Sequence, residues 1–141
     1  MLNDGLKLTG KLTIAINDEI VQEVPNLVVT AGKGYVASRM KDTSATAMSH
    51  MAIGSGTTAA AASQTALVSE LARTGLTSTT VSGADIVYVD TFAAGTGTGA
   101  VTEAAILNAS SGGTMLCRTV FSVVNKGAND AMTITWTVTV S

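Results

Sequence analysis

Residues 132–140 alternate without interruption: Met132, Ile134, Trp136, Val138 and Val140 share one parity, and Thr133, Thr135, Thr137 and Thr139 the other. A period of two separates cleanly onto the two faces of a strand, whereas on a helix it would scatter. Branching at Cβ stiffens χ1 and suits a pleated surface, so residue type agrees with spacing. The apolar parity carries the single tryptophan. Trp136 is therefore placed with Ile134 and Val138 in a core that Phe121 and Cys117 are expected to share. The threonine parity offers hydroxyls and methyls without charge, either to water or to a second threonine-rich surface.

The same period recurs upstream. Leu6, Leu8, Leu12, Ile14 and Ile16 oppose Lys7, Thr9, Lys11 and Thr13, giving a strand over 6–16 with Gly10 in its middle. Asn17 and Asp18 read as a turn. Ile20 to Val24 read as a returning strand that Pro25 confines to an edge or ends. Residues 26–40 suit a short helix, with Thr30 as candidate cap and Tyr35, Val36, Arg39 and Met40 near helical spacing. Gly32 and Gly34 weaken that helix by about 1 kcal/mol each. A loop is expected over 41–47.

Met48 to Ile53 form the next strand, closed by the turn residues Gly54 to Thr58. The alanine run Ala59 to Ala62 reads as loop, and Thr65 is placed to cap a helical turn over Ala66 to Glu70. A hydroxyl-rich strand is expected over 74–81. Ile86, Tyr88 and Phe92 alternate with Val87, Val89 and Thr91, so both faces of that strand are apolar. Gly95 to Gly99 suit an exposed hairpin connection. Strands over 102–108 and 115–124, with reversals at 110–113 and 126–130, lead to the final strand.

Seven or eight strands between short polar turns predict a mainly β fold. The expected architecture is an antiparallel β-sandwich, with the jelly roll as one topology, one or two short helices and an extended N-terminal ribbon. Residues 1–25 are expected to be that β ribbon or attachment segment, packed against the domain or reaching a neighbour, and 26–141 a single sandwich domain. On this division, deleting residues 1–17 would weaken attachment more than it disturbs the core.

Composition narrows the chemistry. Eight Lys and Arg against ten Asp and Glu leave a net charge of -2, with only 13% of the 141 residues charged. A free monomer ordinarily carries about a quarter, so burial of surface in an oligomer or larger assembly is favoured. A mean hydropathy of +0.39 agrees. No apolar run is long enough for a membrane-spanning helix, no secretory leader is expected, and the basic surface that nucleic acid needs is missing. A lone cysteine excludes an intrachain disulfide framework and fits a reducing compartment.

The catalytic inventory is thin. His50 is the sole imidazole. One ring makes a metal centre only where symmetry gathers several copies, so it reads as a packed or surface histidine. Cys117 lacks a nearby histidine and reads as a buried thiol. Asp85 and Asp90 point to opposite faces and do not form a carboxylate pair. Glu70 is placed to pair with a cation or cap a turn, just before Arg73. Glu103, among small neighbours, is placed to hydrogen-bond a loop or face another subunit. Gly95 to Gly99 lack the lysine of a phosphate-binding loop. No catalytic, cofactor-binding or metal residue is assigned, and no enzymatic activity is expected. A sugar-binding platform needs an exposed aromatic. Trp136 has core parity, which leaves Tyr35 and Tyr88, if both line an open groove.

Ser49 to Thr58 followed by Ala66 to Leu71 resembles a segment of tailed-phage virion proteins. Tyr88 to Gly99, Val101 to Asn108, Gly112 to Phe121 and the closing Ile134 to Val140 are similar to the same group, in the same order. The resemblance spans residues 49–141. It implies a virion structural protein, foremost a capsid decoration or cement protein. Its partner would be the major capsid protein, and a homotrimer is preferred because quasi-threefold junctions offer three similar surfaces. A tail, portal-associated or fibre-base protein is the alternative. The implied location is the outer capsid surface, after synthesis in the host cytoplasm.

Overall fold

The computed structural model describes residues 5–41 and 46–141. The first four residues of the expected ribbon, and residues 42–45 of the loop expected over 41–47, lie outside them. The chain is mainly β. The strands are β1 (Leu8–Ile16), β2 (Glu19–Pro25), β3 (Leu27–Val28), β4 (His50–Gly54) and β5 (Glu70–Gly75), then β6 (Ser78–Ser82), β7 (Asp85–Phe92), β8 (Gly99–Leu107), β9 (Met115–Lys126) and β10 (Met132–Val140). Among the described residues one helix, α1, spans Thr30–Lys41. Two antiparallel five-stranded sheets form a β-sandwich, ordered β2-β1-β10-β7-β6 and β3-β9-β8-β4-β5.

The core follows the alternation. Leu12 and Ile14 from β1, Tyr88 and Phe92 from β7, and Met132, Ile134, Trp136 and Val138 from β10 point inward from the first sheet. Met51, Ile53, Ala104, Ile106, Cys117 and Phe121 meet them from the second. Trp136 is fully buried, in one cluster with Ile134, Val138, Phe121 and Cys117. The second sheet is also covered on its outer face, where Ala52, Ala105, Leu107, Met115 and Val29 pack against Ala31 and Leu67. Strand β8 is buried on both faces for this reason.

Several local expectations change. The described part of the ribbon, residues 5–25, packs into the domain, because β1 pairs with β10 along all nine of its residues and fills the core with Leu12 and Ile14. Deleting 1–17 would therefore remove a central strand. Asn17 and Asp18 make the expected turn at φ 49° and 69°, and Pro25 does end an edge strand. Gly10 stays within β1, where a Cβ would lie 2.0 Å from the Asn26 side chain. Residues 27–28 pair with β9 before the helix begins, and Gly32 lets that helix approach the Leu116 carbonyl.

No helix forms over 66–70. The amides there bind a buried carboxylate described below, and Glu70 opens β5. The single strand expected over 74–81 is two strands in different sheets. Leu76 N–H donates to the Ser49 carbonyl on the second-sheet side and Thr77 N–H to the Val89 carbonyl on the first. Gly95 to Gly99 likewise connect β7 of one sheet to β8 of the other, so the connection is a crossover and not a hairpin.

Candidate functional site

The densest polar arrangement sits on the outer face of the second sheet, beneath the connection 55–69 between β4 and β5. Alternation puts Glu103 of β8 and Arg118 of β9 on this face, and both are fully buried. Arg118 Nη2 and Nε donate to Glu103 Oε1 at 2.8 and 3.1 Å. The carboxylate also accepts the backbone N–H groups of Gly56, Val68 and Ser69 at 2.7, 2.9 and 2.8 Å. Arg118 Nη1 donates to Gln64 Oε1 at 2.8 Å, and that oxygen also accepts the Ala61 N–H at 3.0 Å. Burial alone would raise the Glu103 carboxyl. The Val68 and Ser69 amides, the Arg118 guanidinium and the Gly56 amide outweigh it and hold the group below the ordinary glutamate value.

Glycine makes the space for this cradle. A Cβ at Gly56 would lie 2.4 Å from Glu103 Oε2, and one at Gly54 2.6 Å from the same oxygen. Chemically the cluster is closed. Every polar atom of the pair faces protein, and its five donors act as a clamp that fixes a long loop over the sheet. Of the two roles open to Glu103, the loop contact is the one formed.

The remaining candidates lie apart. His50, half-buried at the start of β4, has Nδ1 2.7 Å from Ser49 Oγ. Cys117 is buried, and burial pushes its thiol well above the ordinary value. Asp85 accepts from Thr139 Oγ1 at 2.7 Å. Asp90 faces the core and accepts from Thr74 of the opposite sheet, and burial raises its carboxyl to about 6. Glu70 and Arg73 form an ion pair at 2.8 Å, while Arg73 also reaches the Ala109 and Gly112 carbonyls. Sequence reading missed Lys126, which is buried at the end of β9. Its Nζ donates to the Ala93 and Asp130 carbonyls at 2.9 and 2.7 Å, tying two connections together. The parity of Val124 and Lys126 was the available signal. Among the described residues, no group of three or more His, Cys, Asp or Glu is placed to hold a metal ion.

An apolar groove of about 350 Å³ opens between α1 and the β6–β7 hairpin. Tyr35, Val36, Val81, Ile86, Tyr88 and Val138 contribute to its walls. Tyr88 is buried, with its hydroxyl raised to about 12 mainly by burial, so the two tyrosines form no exposed platform. Elsewhere Ile20 and Val21 of β2 and Val123 of β9 are exposed, beside the contact in which Gln22 Nε2 donates to the Ser122 carbonyl. Among the described residues no helix is long and apolar enough to cross a membrane. Comparison with protein-family models, curated proteins and solved structures finds no match to this chain.

Proposed function

We propose that this chain is a noncatalytic structural protein of a tailed-phage virion that binds and stabilises the outer capsid shell as a decoration or cement protein. The observation that carries the reading is where the polar chemistry sits. Glu103, Arg118, Asp90 and Lys126 are buried, and each uses its hydrogen bonds to join loops or sheets. The exposed strand surfaces present threonine and serine hydroxyls with scattered aliphatic side chains such as Ile20, Val21 and Val123. A surface of this kind favours many modest contacts summed over several copies. The resemblance of residues 49–141 to virion proteins supports the same reading and names the major capsid protein as the partner. On the assembled shell, three copies suit a quasi-threefold junction.

Cryo-electron microscopy of intact particles made from the genome encoding this chain tests the proposal. A two-sheet knob repeated over the shell is the expected result. Density confined to one vertex or to the tail would replace it with the tail, portal-associated or fibre-base reading. Absence from the particle would overturn both.

A further inference from the structure

The four edge strands of the two sheets are not equally protected. β2 carries Glu19 and Glu23, ends in Pro25 and borders a register shift at Ile14/Ala15. β3 is two residues long. β5 carries Glu70 and Arg73 and borders a shift at Ile53/Gly54. Charge, proline, bulges and shortness all discourage pairing with another chain. β6 has none of them. Ser78, Thr79, Thr80, Val81 and Ser82 are uncharged, all exposed, and in unbroken register with β7.

We propose that β6 is a contact between two copies of this chain, paired antiparallel about a two-fold axis at Thr80. The backbone sets that register. Gly83 (φ 60°) and Ala84 form a two-residue connection between Ser82 and Asp85. The residues flanking such a loop are a hydrogen-bonded pair, so Ser82, Thr80 and Ser78 bond inward to β7. Thr79 and Val81 then direct their N–H and C=O groups outward. Centred on Thr80, the pairing sets Thr79 opposite Val81 of the second copy on either side of the axis, which satisfies all eight outward groups of the two chains with four hydrogen bonds. Thr80 meets its own copy in the close, non-bonded position, where threonine pairs are favourable.

The side chains agree. Residues 74–84 contain no charge, so this register brings no like charges together. Val81, 70% exposed, and Thr79 line the groove, and a second strand covers both. An isologous contact closes at two copies and does not propagate into a fibre. It is independent of where in a particle the protein sits. A contact this small lies at the weak end of specific interfaces, with a dissociation constant of about 100 µM expected.

Sedimentation equilibrium between about 5 and 500 µM reads it out. The weight-average mass is expected to rise from 14.2 kDa toward twice that value. Thr80→Lys and Thr80→Glu, on an exposed side chain, should each weaken association at least about tenfold by setting like charges across the axis, and an equimolar mixture should restore it. Thr79→Pro, which removes only an outward N–H, should also abolish it. Trp136 fluorescence confirms that each variant is folded. A mass fixed at one chain throughout, a trimer or other oligomer indifferent to both charge variants, or a mixture without recovery would overturn the proposal.

Discussion

Glu103→Gln keeps the side-chain volume and removes the charge that five donors share. The amide has one acceptor oxygen, and its NH2 group would point toward the Gly56, Val68 or Ser69 N–H groups or the Arg118 guanidinium. Arg118 would remain a buried cation with Gln64 as its other partner. Removing one member of a buried pair costs about 3–5 kcal/mol. Whichever way the amide turns, one or two of the three backbone N–H groups lose their acceptor, which would add about 1–3 kcal/mol apiece if they stayed buried. The loop can instead swing into water, so about 3–5 kcal/mol is the expected loss of urea-unfolding free energy. Hydrogen exchange separates the two levels. The amides of Gly56, Val68 and Ser69 should lose protection while those of Ala104 and Ile106 keep theirs. Replacing both members of a buried pair with apolar residues is often neutral. Here Glu103→Leu with Arg118→Met should stay destabilised, because three backbone donors remain unpaired. A Glu103→Gln protein with unchanged urea midpoint and intact loop protection would refute the clamp.

Trp136→Ala, at a fully buried site, is expected to cost about 3–5 kcal/mol in urea denaturation; an unchanged midpoint would contradict its core position. The Asp90 carboxyl, raised to about 6 from 3.8, binds its proton more tightly folded than unfolded. Stability should therefore rise as pH falls from 7 to 5, and Asp90→Asn should flatten that slope. Glu103 acts in the opposite sense, its contribution being lost only as pH falls below its ordinary value of 4.5. A wild-type stability that declines between pH 7 and 5 would contradict the assignment. Lys126→Met removes the buried donor that joins the Ala93 and Asp130 carbonyls and should lower stability by about 1–3 kcal/mol. Deletion of residues 1–17 should yield a chain without a cooperative unfolding transition, because β10 loses its β1 partner.

Much of the sandwich was legible because alternation is a local signal. The Thr-Trp-Thr pattern of β10, the Asn17-Asp18 turn and the edge position of the segment before Pro25 each follow from residue type and spacing. What escaped was non-local. Residues 66–70 have fair helical propensity, yet their amides are claimed by a carboxylate 34 residues away in sequence. The change of sheet at Leu76-Thr77 has no turn signature, so one continuous hydroxyl-rich strand was the natural reading. Gly95 to Gly99 marked a connection correctly, but glycine cannot say whether the next strand pairs beside the last or across the core. The burial of Arg118 and Lys126 carries no local signature, because their acceptors are side chains and backbone carbonyls from distant loops.

The central claim is that this module's free surfaces serve an assembly while its reactive groups hold the fold. Quantitative mass spectrometry of density-gradient-purified particles tests it most directly. Many copies per particle, in fixed ratio to the major shell protein and retained through repeated banding, are the expected result. Recovery of the chain wholly in the unassembled fraction, with purified particles devoid of it, would contradict the account.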